Sequence, residues 1–208
     1  TPAISKGCAD AALEAARTAQ NMGLTVSMDL NYRAKLWKWG KSAREVMTDL
    51  VKCANIAIGN EEDAEKVFGI QAPSVDVLAG KVDPHAYRTV AEKLKAQLPN
   101  LDKIAITVRG SISASHNTWS GVLHDGKTFY TAPVYDIAHI VDRVGGGDAF
   151  AGGLIYGLLK YGDDAQKALD FAVAASCLKH TIPGDMNMVT VPEVEGIMSG
   201  VVSGRVSR

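Results

Sequence analysis

The sequence lacks an excess of charge of either sign: 22 Lys and Arg stand against 23 Asp and Glu, a net charge of -1 over 208 residues. That balance excludes a broad electrostatic attraction for nucleic acid or an anionic membrane, and a small molecule is the expected ligand. Close cysteine pairs are also lacking. Cys8, Cys53 and Cys177 lie far apart, which excludes a disulfide framework and a cysteine-rich zinc site and reads as core thiols in a reducing compartment. No apolar run approaches the length needed to cross a bilayer, and the first residues show neither the basic nor the apolar region of a secretory signal. The expectation is a cytoplasmic protein with no membrane partner. Repeats and low-complexity segments are missing too.

What is present is apolar material, 47% of the chain, enough for one well-buried globular domain over residues 1–208. Lys6 to Asn21 reads as a helix with its exit at Gly23, and Leu24 to Leu30 as a buried strand. The alternation then repeats. A helix around Ala43 to Cys53 precedes a strand from Asn55 to Ile58 and an acidic-started helix from Glu61 to Phe68. After a polar stretch from Gln71 to Pro84, a helix from Ala86 to Leu98 leads into a strand from Ile104 to Val108. Between Ser113 and Ala132 an Asp-Gly turn at Asp125-Gly126 separates two strand-like runs and predicts a hairpin. Helices over Gly147 to Lys160, Asp164 to Lys179 and Pro192 to Met198 close the chain. The fold class predicted is α/β, a mostly parallel sheet flanked by helices, whose ligands bind beyond the carboxyl ends of the strands.

Three consecutive glycines, Gly145, Gly146 and Gly147, stand directly before Asp148 and a predicted helix. Glycines let backbone N–H groups approach an anion, and a helix amino terminus adds unpaired donors and partial positive charge. A carboxylate beside such a site repels phosphate, so Asp148 makes chemical sense as a base taking a proton from an attacking hydroxyl. The alternative reading is a tight turn with Asp148 as a helix cap. Two other phosphate motifs fail here: a dinucleotide fingerprint from Gly145 needs glycine at Phe150, and a Walker-type loop from Gly147 needs Lys and Ser or Thr at Gly153 and Leu154.

The run Asp142-Arg143-Val144-Gly145-Gly146-Gly147-Asp148 resembles the carboxy-terminal signature of the ribokinase-type, or PfkB, carbohydrate kinases. Asp29-Leu30-Asn31-Tyr32-Arg33 with Leu36-Trp37, and Phe171 to Ser176 followed by His180-Thr181-Ile182-Pro183-Gly184-Asp185, narrow the resemblance to 2-keto-3-deoxygluconate kinases. It implies a ribokinase-like three-layer sandwich that binds ATP and phosphorylates a sugar acid. Asp148 would be the base, with the N–H groups of Gly145, Gly146 and Gly147 stabilising the transferred phosphoryl group. Arg33, whose planar fork suits a carboxylate, would read the acid alongside Asn31 and Asp29. Asn60, Thr107, Arg109 and Val173 would contact ATP, with Val173 against the adenine. Asp63 or Glu61 would act indirectly on magnesium, and Asp142 would help hold a monovalent cation such as K+. For Asn60 and its acids, helix capping is the competing reading; for Thr107 it is strand propensity, and for Val173 simple core packing. His180 needs no ligand role.

The resemblance also implies an amino-terminal part with a Gly-Gly sugar-binding motif and a lid sheet, none of which is in this sequence. The expectation is therefore a carboxy-terminal portion that turns over slowly or not at all alone, from a full-length protein in which homo-oligomers are one possibility. A kinase for a neutral sugar such as fructose or ribose, or an inactive nucleotide-binding fragment, are the alternatives.

Overall fold

The computed structural model describes residues 1–71 and 83–200, and most of the polar Gln71 to Pro84 stretch lies outside them. The helices are α1 (Lys6–Asn21), α2 (Ala43–Val51), α3 (Glu61–Phe68), α4 (Arg88–Gln97), α5 (Gly146–Tyr161), α6 (Ala165–Lys179) and α7 (Val191–Met198). The strands are β1 (Ser27–Asp29), β2 (Ile56–Gly59), β3 (Lys103–Ser113), β4 (His116–His124), β5 (Phe129–Thr131) and β6 (Tyr135–Ile137). They form one mixed sheet in the order β1-β2-β3-β4-β5, with β6 beside β4. The parallel part is β1 to β3, where Ala57 pairs with Met28 on one side and Ile104 on the other. The β4–β6 pair is antiparallel.

Among the described residues the chain divides into two compact units, residues 1–71, 83–108 and 122–129 in the first and 109–121 and 130–200 in the second. In the first unit, β2 and the start of β3 are apolar and buried on both faces, as parallel strands under helices must be. Leu50, Val51, Val90 and Leu101 in the flanking helices and loop have no exposed surface. Each such aliphatic side chain contributes roughly 1.5–3 kcal/mol by leaving water. β1 is shorter than its apolar run suggests, because it pairs only with β2 and Leu24 stays exposed. The helix expected from Ala86 begins instead as a 3-10 turn at Pro84–Tyr87, where the His85 N–H donates to the Asp83 carboxylate and the Ala86 N–H to the Asp83 carbonyl.

In the second unit, α5 and α6 approach closely at glycine: a Cβ on Gly157 would lie 2.8 Å from the Ala168 Cα, and one on Gly153 3.0 Å from the Ala172 Cα. Phe171 stacks against Tyr156 with ring centres 4.8 Å apart, and with Ala174, Ala175 and Val194 it binds α6 to α7. No helix among the described residues is long and apolar enough to cross a membrane.

Candidate functional site

The glycine-rich turn of the second unit uses its three glycines for three different reasons. Gly145 is the N-cap of α5 with φ +81, and a Cβ there would fall 1.9 Å from the Asp185 carbonyl oxygen. Gly146 lies over the His180 ring, where a Cβ would meet Cε1 at 3.1 Å. Gly147 faces open space, with nothing within 4 Å of a would-be Cβ, so a ligand can reach its backbone.

The amides divide in the same way. Gly146 donates its N–H to the Arg143 carbonyl at 3.3 Å, and Ala149 donates to Gly145 at 2.8 Å. Among the described residues no acceptor meets the N–H groups of Gly145, Gly147 or Asp148. Of the three glycine amides expected to meet a phosphoryl group, Gly146 is engaged within the turn, while Gly145 and Gly147 stay open and the Asp148 N–H joins them. Asp148 lies in the first turn of α5, is exposed, and lines a cleft of about 500 Å³ with Gly152, Tyr156, Asp185, Asn187 and Thr190. No side chain caps α5, which removes the reading of Asp148 as its cap.

The turn is held from below. Asp142 accepts the Val144 N–H on one carboxylate oxygen and the Gly184 N–H on the other, each at 2.9 Å. These bonds hold its carboxyl below the ordinary carboxylate range, with the Lys179 charge acting in the same direction. Arg143 turns away from the cradle and donates to the carbonyls of Ser113 and Ala114 and to the Asn117 side chain. His180, buried, donates Nδ1–H to the Ser176 carbonyl at 2.7 Å and stacks on Trp119 at 5.0 Å, while the Trp119 indole donates to Ser176 Oγ at 2.6 Å. This support went unnoticed in the sequence because a single histidine carries no pattern; the close approach to Gly146 is visible only in three dimensions.

In the first unit, Asp29 ends β1 and accepts the Asn31 N–H, and Asn31 takes φ +38, one of the few left-handed positions open to a residue with a polar side chain. Tyr32 then donates its N–H to Asp63 Oδ1 at 2.8 Å, while Asp63 Oδ2 accepts the Asn60 N–H and Asn60 caps the Asp63 N–H in return. Asp63 thereby fastens the 29–33 turn to the start of α3. Burial raises its pKa, against the amide bonds from Asn60 and Tyr32 and the charge of Arg33. Arg33 is exposed and uses one guanidinium nitrogen on the Tyr32 carbonyl, which leaves most of its fork for a ligand. Both Asp63 oxygens being engaged, the carboxyl does not fit a direct magnesium ligand, and among the described residues no cluster of three His, Cys, Asp or Glu could hold a metal. The Glu61 side chain lies outside the described part of the structure.

Thr107 directs its hydroxyl to the Gly59 carbonyl at 3.4 Å, and Arg109 is exposed on β3. Val173 departs from its expected place on an adenine. It has no exposed surface and packs with Phe150 against Gly121, where a Cβ would stand 2.9 Å from each. A branched apolar residue on the inner face of α6 fills the core instead.

Residues 3–191 match the model of the pfkB family of carbohydrate kinases. The chain is 31% identical over 207 residues to the 2-dehydro-3-deoxygalactonokinase of Haloferax volcanii, a match covering 98% of this chain and 56% of that protein. Its fold is similar to the crystal structure of 2-dehydro-3-deoxygluconokinase from Thermotoga maritima, with a TM-score of 0.80 and 44% identity over 90% of this chain and 54% of the other. A PfkB family carbohydrate kinase from Listeria grayi gives a TM-score of 0.82 at 29% identity, over 96% and 57% of the two chains. The chain spans about half the length of the curated relatives it matches. With a family match running through nearly all of the sequence and a glycine turn of the kind the signature requires, the chain belongs to the pfkB family of carbohydrate kinases.

Proposed function

We propose that this chain is the nucleotide-binding domain of an ATP-dependent kinase that phosphorylates a 2-keto-3-deoxy sugar acid, 2-keto-3-deoxygluconate, at its terminal hydroxyl to give the 6-phosphate. The observation that carries this reading is an exposed carboxylate at Asp148 beside open backbone amides at Gly145, Gly147 and its own N–H. Asp148 accepts the hydroxyl proton as that oxygen forms its bond to the γ-phosphorus, and the bond to the bridging oxygen of ADP breaks. The open amides stabilise charge on the transferred group at no cost of reorganisation. Arg33 binds the substrate carboxylate through its free fork, with Asn31 and Asp29 setting the turn that presents it. Asn60 and Asp63 act as positioning residues for that turn. Thr107 and Arg109 serve the nucleotide phosphates, Arg109 by its charge. Magnesium, carried with ATP, neutralises phosphate charge when bound.

The identity with the Thermotoga maritima enzyme supports the gluconate acid, and the Haloferax volcanii relative supports its galactonate counterpart, so both acids belong in the assay. ATP consumption by the full-length protein that carries this chain, with 2-keto-3-deoxygluconate, 2-keto-3-deoxygalactonate, fructose and ribose, tests the reading. Turnover with an acid, reduced roughly 10- to 100-fold by Arg33→Ala through loss of a charge-assisted pair, is the expected result. A neutral sugar used as well as either acid, with Arg33→Ala having no effect, contradicts it.

A further inference from the structure

Lys179, the last residue of α6, is a buried cation without a buried anion. Its side chain is 0% exposed, and its Nζ donates to the Ile182 carbonyl at 2.9 Å. Among the described residues no carboxylate oxygen lies within the 4.0 Å of an ion pair. Burying an ammonium in this way is costly unless its surroundings supply negative potential. Three sources do so here: the carboxyl end of α6, the Ile182 carbonyl, and at longer range the Asp142 carboxylate, on which the Lys179 charge acts.

These groups belong to one assembly. The loop after α6 carries the Ile182 carbonyl, the Gly184 N–H that binds Asp142, and the Asp185 carbonyl that seats Gly145. Asp142 in turn holds the Val144 N–H, one residue before the cradle. The Lys179 charge thus meets the Ile182 carbonyl directly and acts on Asp142 at longer range. A monovalent cation at Asp142 would be repelled by the ammonium whose charge already acts on that carboxylate, and Asp142 spends an oxygen on each of two amides. The residues present therefore do not fit a free potassium ion.

We infer that the Lys179 ammonium is a tethered monovalent cation that braces the phosphate turn, so that this protein folds and binds nucleotide without potassium. The inference deepens the kinase reading and rests on it for the nucleotide, but its first readout is independent of any activity.

Thermal unfolding and ADP binding are measured for the wild-type chain, Lys179→Ala and Lys179→Arg, in potassium chloride and in tetramethylammonium chloride at equal ionic strength. The wild type and Lys179→Arg are expected to melt within about 1 °C in the two salts. Lys179→Ala, with room and a bare Ile182 carbonyl where the ammonium was, melts at least about 4 °C lower in tetramethylammonium and regains at least half of that loss, saturably, in potassium. Its ADP affinity follows the same pattern. A wild type stabilised by potassium over tetramethylammonium, or a Lys179→Ala variant indifferent to the cation, overturns the inference. If Lys179→Ala does not fold in either salt, the wild-type comparison decides: indifference supports the tethered charge and specific stabilisation by potassium refutes it. Absence of ADP binding in every sample contradicts the kinase reading while leaving the melting comparison intact.

Discussion

Gly145 and Gly147 are neighbours in the same turn, yet physics assigns them opposite tolerances. Gly145→Ala forces an L side chain into φ +81 and into the Asp185 carbonyl, so a loss of about 3 kcal/mol or more is expected in denaturant unfolding. Gly147→Ala meets open space within the first turn of α5, and stability is expected to hold or rise by up to about 1 kcal/mol, while nucleotide binding weakens because a methyl now stands where the anion approaches. Equal destabilisation by the two changes would refute this division. His180 gives a pH dependence. Burial holds its ring below the ordinary value of 6.5, helped by the charges of Lys179, Arg109 and Arg143 and opposed by the bond to the Ser176 carbonyl. The folded value being the lower, the contribution of the neutral ring is complete above about pH 6.5 and is lost as pH falls through the folded value. Urea unfolding at about pH 7.5 and about pH 5.5 should show a fall in stability that shrinks in His180→Gln; an unchanged fall would place the titration elsewhere.

Helix caps show how much an element depends on one side chain. Ser42 and Glu45 form a reciprocal capping box on an exposed end of α2, and Ser42→Ala is expected to cost about 1 kcal/mol. The corresponding box on α3 also holds the Tyr32 N–H and is buried, so Asp63→Ala leaves two amides without their acceptor and should cost about 2–3 kcal/mol. Chemical denaturation of both variants checks the ranking, and a smaller loss for Asp63→Ala would show that the 29–33 turn does not depend on it. The helices were the most legible elements in the sequence. α1 and α3 stand where periodicity and caps placed them, and α5 and α6 begin within a residue of expectation, because Gly, Ser and Asp at helix ends act through local geometry. The strands were less legible. β6 is three residues long after Pro133, too short for any period, and β3 continues to Ser113 through exposed polar positions that the apolar run at Ile104 to Val108 did not foretell.

Across the whole molecule, the candidate site was legible where it is made of backbone and obscure where it is made of contacts. Three glycines before an acid read as an anion turn, with a tight turn and a helix cap as the competing reading. Which amides stay open, that Arg143 bonds to the carbonyls of Ser113 and Ala114, and that Val173 is sealed in the core depend on residues brought together from far along the chain. Lys179 and His180 were invisible for the same reason, since burial is not written in a lone lysine or histidine. The α/β fold followed from the alternation of helical and strand patterns, and the family from the combined segments around Asp29, Asp142 and Phe171, each weak alone. The division of the described residues into two compact units was not foreseen, as β3 and β4 run through both and no change of composition marks the boundary. The central claim is that Asp148 is a base next to an anion cradle and not a structural residue. Phosphoryl transfer from ATP to 2-keto-3-deoxygluconate, measured in the full-length protein for wild type and Asp148→Ala together with ATP affinity by calorimetry, tests it most directly. The account predicts a roughly 100- to 10,000-fold loss of kcat with ATP bound as tightly as before or more tightly, because a repelling carboxylate has gone. Undiminished turnover in Asp148→Ala, or loss of ATP binding in step with turnover, would contradict it.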